Sequence, residues 1–107
     1  MQEYYVISIN GQKAVDAARE LTRGCCYTSL YNHGIELAQV EITIDDDGFY
    51  NGNPNKWVDV SFISHKNIEL TILELSRKGF KDCPAIISKC KLHGCIEEAE
   101  ELCCFFI

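Results

Sequence analysis

The chain has 107 residues, of which 47% are hydrophobic and 24% charged, with a formal net charge of −6. That length suits a single domain spanning 1–107 around one hydrophobic core, and the composition excludes a disordered chain. No apolar run approaches the roughly 18 residues of a membrane span, no basic stretch followed by an apolar segment opens the chain, and the negative charge argues against direct binding to nucleic-acid phosphates.

Taken in order, Glu3 to Ile9 alternates with Tyr5, Ile7 and Ile9 on one side and Tyr4, Val6 and Ser8 on the other. Both sides are largely apolar, which places this strand centrally in a sheet. Lys13 to Arg23 reads as a helix with Ala14, Val15, Ala18 and Leu21 as its apolar stripe, and Gly24 is expected to take the left-handed position after it. Cys25 to Gly34 is β-rich by residue type. It reads as a short strand ending in a turn at Asn32-His33-Gly34, or as an irregular connection.

Ile35 to Ile63 reads as a long hairpin. Val40, Ile42 and Ile44 share one face of its first strand, while Val58, Val60 and Phe62 share one face of its second. The intervening DDDGFYNGNPNK is expected to form a long loop. Ile35 and Leu37 have the opposite parity, which predicts a bulge near Ala38 or a first half buried on both faces. Asn67 to Lys78 reads as a second helix, capped by Asn67 and closed by Arg77, Lys78 and Gly79, with Ile68, Ile72, Leu73 and Leu75 buried. Cys83 to Leu92 reads either as a returning strand or as a helix, with the element order favouring the strand. Ile96 to Cys104 is expected to be a final helix with Ile96, Ala99, Leu102 and Cys103 on one side.

This order predicts an α+β fold of ferredoxin-like (split βαβ) type, an antiparallel sheet with two helices on one face and an extra C-terminal helix. Ile87 to Leu102, ISKCKLHGCIEEAEEL, resembles the helix–turn–helix junction of pentatricopeptide repeats. The resemblance covers only that stretch and implies a helical 83–92. One isolated unit could not bury its own face, so it implies no RNA binding.

Charge is unevenly placed. Glu36, Glu41, Asp45, Asp46, Asp47 and Asp59 crowd the hairpin around Lys56, and Glu97, Glu98, Glu100 and Glu101 crowd the end of the chain. Between them lie Lys66, Arg77, Lys78, Lys81, Lys89 and Lys91. The acidic hairpin does not satisfy a calcium loop: with Gly48 or Gly52 as the obligatory sixth residue, no glutamate stands twelfth.

Seven cysteines, an odd number with two adjacent pairs, make a poor disulfide framework, so reduced thiols and a cytoplasmic location are expected. Cys83, Cys90, His93 and Cys95 are zinc-ligand types at the wrong spacing, since no C-x2-C pair occurs. Cys25 and Cys26 with His33 lack a third orienting group for nucleophilic catalysis. No phosphate-cradling glycine motif and no serine elbow is present. Neither a cofactor nor a metal is therefore expected.

The expected function is that of a small non-enzymatic protein that neutralises a larger basic protein partner through its acidic hairpin. Asp45, Asp46 and Asp47 would steer the encounter, and Phe49, Tyr50 and Trp57 would serve as aromatic anchors. In size, charge and lack of catalytic motifs such a chain resembles toxin immunity proteins and phage-encoded anti-CRISPR inhibitors. The alternative is a dimeric ligand-binding regulatory domain of ferredoxin-like type. Cys103-Cys104-Phe105-Phe106-Ile107 is expected to dock on the fold or to form a homodimer contact.

Overall fold

The computed structural model describes residues 2–63 and 68–107. Its elements are β1 (Gln2–Asn10), α1 (Gln12–Thr22), β2 (Tyr27–Asn32), β3 (Ile35–Tyr50), β4 (Asn53–Phe62), α2 (Ile68–Leu75), a π-type turn (Ser76–Phe80), β5 (Pro84–His93) and β6 (Ile96–Phe106). The strands form one six-stranded sheet in the order β2-β3-β4-β1-β5-β6. Every neighbouring pair is antiparallel.

The alternating strand β1 sits in the middle, as its two apolar sides require. Ile7 lies opposite Val60 on one flank and Ile87 on the other; Ile9 lies between Val58 and Ala85. Tyr5 stacks on Phe62 with ring centroids 5.8 Å apart. Directly opposed residues share a face, so these side chains make one continuous apolar surface. Ala14, Val15, Ala17 and Ala18 of α1 cover it, with Leu75 and Phe80 beside them. Each large side chain buried here contributes about 1.5–3 kcal/mol.

The ferredoxin-like (split βαβ) expectation, with its C-terminal helix, is corrected: the chain forms a six-stranded sheet, and Ile96–Phe106 is its last strand. Glu, Ala and Leu favour a helix locally, yet pairing overrides that preference. Glu98 stands opposite Lys91 and Glu100 opposite Lys89, so the acidic end of the chain meets the basic stretch across a hairpin. The terminus is then clamped. The Ile107 amide donates to the Cys83 carbonyl at 3.1 Å, and the Asp82 amide donates to the Ile107 carbonyl at 2.7 Å. Phe105 and Ile107 pack against the core. The pentatricopeptide-like junction over 87–102 is thus two strands joined at Gly94-Cys95, not two helices.

Other corrections are local. The expected long loop at 45–56 is mostly strand, because Asn51 (φ 50°) and Gly52 (φ 80°) close the hairpin in two residues. Positive φ at both central positions matches the strand twist, which is why Asn-Gly is favoured there. A bulge between Asp45 and Gly48 absorbs the irregularity. The predicted bulge in the first half of β3 lies where β2 shifts register between Leu30 and Tyr31, opposite Ala38 and Glu36.

Arg23 (φ 47°) takes the left-handed position after α1. The expected Asn67 cap of α2 falls outside the described residues. α2 buries Leu75 together with Thr71 and Glu74, while Leu73 stays 46% exposed. The helix stops early because Gly79 turns the chain at φ 109°, which drives Phe80 into the core. A side chain at Gly79 would also meet Ala17 Cβ at 3.2 Å, so glycine lets the turn lie against α1.

Candidate functional site: the helix-free sheet face and its projecting arm

The two faces of the sheet differ in kind. The helices pack over one of them. The register places Tyr4, Val6 and Ser8 of β1, Trp57, Asp59 and Ser61 of β4, and Ser88 and Cys90 of β5 on the other. Glu41, Thr43 and Asp45 of β3 and Glu97 and Glu101 of β6 join them. Most of these residues are half-buried or exposed.

Charge separates along the same division. Lys13 and Arg19 belong to α1, with Arg23 capping it; Arg77, Lys78 and Lys81 belong to the α2 segment and the link after it. Lys56 and Lys91 alternate with open-face residues and so point to the helix side. Lys89 does the same, and both Lys89 and Lys91 pair with Glu3 there, at 3.6 and 3.9 Å. Among the described residues the helix-free face therefore carries Glu41, Asp45, Asp59, Glu97 and Glu101 and no lysine or arginine. Among the described residues no lysine or arginine on this face offsets its carboxylates.

The hairpin of β3 and β4 runs past the end of β1. β1 stops at Asn10 opposite Trp57, whereas β3 and β4 continue pairing to Tyr50 and Asn53. The excess is a projecting arm with Phe49 (74% exposed) and Tyr50 (73% exposed) beside its turn. The six residues expected to bind a partner divide along it. Phe49 and Tyr50 lie at its tip; Asp45 faces Trp57 across the ladder on the helix-free side.

Asp45 accepts a hydrogen bond from Asn55 Nδ2 at 2.6 Å. Asp46 is turned the other way, ion-paired with Arg19 of α1, and its carbonyl accepts from Lys56 Nζ at 2.7 Å. Asp47 is exposed within the bulge. The acidic triplet is thus split, with Asp45 on the open face and Asp46 spent on anchoring the arm to α1.

A concavity of about 470 Å³ opens on the helix-free face, lined by Tyr4, Tyr27, Glu41, Thr43, Ser61 and Leu92 among others. Its floor is low because Ser61 and Thr43 are small, while tyrosines rise on either side. The Tyr4 hydroxyl interacts with the Glu97 carboxylate and the Cys90 thiol. Burial, and next that hydrogen bond to a carboxylate, push the Tyr4 hydroxyl well above the ordinary tyrosine range. Burial likewise pushes the Cys90 and Cys83 thiols up, so neither is an activated nucleophile.

The cysteine readings resolve separately. Cys83 and Cys90 are buried, whereas Cys95 is exposed in the β5–β6 turn. Among the described residues no three His, Cys, Asp or Glu side chains are grouped to hold a metal. Cys25 and Cys26 stand before β2 and His33 after it, about 20 Å apart along an extended strand. Sequence reasoning missed Tyr4, Tyr27 and Glu41 as site residues. Their signal was parity: each alternates with core residues, but only the pairing shows that the described helices lie on the other side. No helix among the described residues is long and apolar enough to cross a membrane. Comparison with protein-family models, with curated proteins and with solved structures finds no match.

Proposed function

We propose that this protein binds and occludes a larger, basic protein partner, using the helix-free sheet face and the aromatic tip of the β3–β4 arm, and that it does so without catalysis. One observation carries the reading. Among the described residues, bases are confined to the helix side, while the opposite face combines uncompensated carboxylates with Trp57 and tyrosines. Such a face attracts a cationic surface over several ångströms and rewards close contact through its aromatic rings. Phe49 and Tyr50 extend the contact as exposed anchors. The seven cysteines, all free thiols, support a reducing, cytoplasmic setting. A role as an immunity-type or anti-defence inhibitor of the anti-CRISPR kind is the form of this reading that best suits so small an acidic chain. For a homodimer contact through the C-terminal segment the side chains divide: Phe105 and Ile107 pack inward, whereas Phe106 is exposed.

Affinity capture with matched charge changes tests the proposal. Glu41→Lys with Asp45→Lys alters the helix-free face; Asp16→Lys with Glu20→Lys alters α1 by the same net charge. A basic protein held stoichiometrically by the wild type, lost with the first pair and kept with the second, is the expected result. Equal loss in both, or in neither, refutes the face assignment.

A further inference from the structure

We infer that the concavity between Tyr4, Tyr27 and Glu41 is a receptor for one arginine side chain of the protein partner. This rests on the reading of the helix-free face given above and names the chemistry at its centre. At about 470 Å³ the concavity falls within the roughly 300–1,000 Å³ typical of ligand sites. Ser61 and Thr43 leave the space open, and Leu92 gives one wall an apolar surface for an aliphatic stem. Tyr27 stands directly opposite Glu41 across the β2–β3 ladder, so an aromatic ring and a carboxylate meet at one end. Tyr4 stands at the other end, held by Glu97.

A guanidinium matches this set better than an ammonium. Its plane stacks on a tyrosine ring while its fork reaches a carboxylate, and it sheds water more readily. Glu41 is exposed and lies on a face where, among the described residues, no base is present to compete for it. The same features disfavour an anion, which would meet Glu41 and Glu97 with no lysine or arginine among the described residues of this face to hold it.

Nuclear magnetic resonance titration of the isotopically labelled full chain tests the site directly. The probes are N-acetyl-argininamide, its lysine counterpart and the neutral citrulline isostere. The arginine probe is expected to give saturable shifts at Tyr4, Tyr27, Glu41 and Ser61, with a Kd of order millimolar and about tenfold tighter than citrulline. Ser61→Tyr, which fills the floor, is expected to abolish saturation; Glu41→Gln, nearly isosteric and on the surface, is expected to weaken it about fivefold. Equal shifts from arginine and citrulline, shifts scattered over the surface, or an undiminished response in both variants overturns the assignment.

Partner capture separates this proposal from the broader one. If Glu41→Lys with Asp45→Lys abolishes capture while the probe fails to titrate, the face binds a partner but the concavity receives no arginine. If the free probe binds in the micromolar range and no protein is captured, the site serves a small organic cation, and the assignment to a protein side chain is overturned.

Discussion

The two faces of the sheet are made by the same strands, one residue apart, yet they answer to different physics. On the helix side, Ile7, Val58 and Val60 have no measurable exposure, and their identity is set by packing. On the open side, Val6, Asp59 and Ser61 are only half-buried, so packing constrains their identity less. The two faces therefore tolerate change differently. Substitution on the first is expected to be read out as stability and, under the proposed function, substitution on the second as binding, and the contrast can be tested within single strands.

The sharpest test uses adjacent residues of β1. Ile7→Ala, in the fully buried row, is expected to cost about 2–5 kcal/mol, while Val6→Ala costs about 1 kcal/mol or less. Urea unfolding with an unchanged slope checks both, and similar losses would erase the distinction between the faces. Next in size is Gly79→Ala, which forces a side chain into φ 109° against Ala17 and is expected to destabilise by about 1–3 kcal/mol. Thermal melting that shows no loss would mean the turn readily re-forms away from α1.

Tyr4→Phe probes a polar group of the open face that a neighbouring carboxylate engages. Loss of the hydrogen bond to Glu97 is expected to cost about 1 kcal/mol at neutral pH. The folded state holds the Tyr4 proton past about pH 10, where an unfolded tyrosine releases it. Its contribution is therefore whole below about pH 10 and declines as pH rises above that value. Cys83 and Cys90, also raised by burial, add a decline that begins nearer pH 8.5. Tyr4→Phe should remove only the upper part of the alkaline fall, and an unchanged profile would show that Tyr4 is not so held. The smallest effect belongs to Arg19→Gln. This exposed partner of Asp46 should cost about 0–1 kcal/mol, with the difference vanishing in high salt.

The fold class was misread, but individual elements were legible where their signals were redundant. β1 shows alternation with two apolar sides, α1 shows a stripe and an end signal, and the second strand of the hairpin shows Val58, Val60 and Phe62 at period two. β6 was illegible because IEEAEEL satisfies a helical period, and its strand conformation comes from partners on β5 rather than from the segment itself. Gly94 after His93 and the β-rich Cys103–Phe106 run were the available hints. The arm was half legible. Asn51-Gly52 is a strong hairpin signal, but three aspartates and Pro54 disguised the flanking strands as loop. Of the site, Phe49, Tyr50, Trp57 and Asp45 were visible as types. The exclusion of bases from one face was not, because it depends on which side each lysine and arginine takes after pairing.

The central place of β1 has a consequence for how the chain reaches its fold. The meander of β2, β3 and β4 and the hairpin of β5 and β6 close over short turns, but the strand that joins them precedes both in the chain and pairs with each. Ile7 must wait for Val60 on one side and for Ile87 on the other. Such long-separation pairing slows folding, since the loop entropy is lost before the contacts repay it. On the ribosome, the apolar row of β1 would stay unpaired on one flank until β5 had emerged.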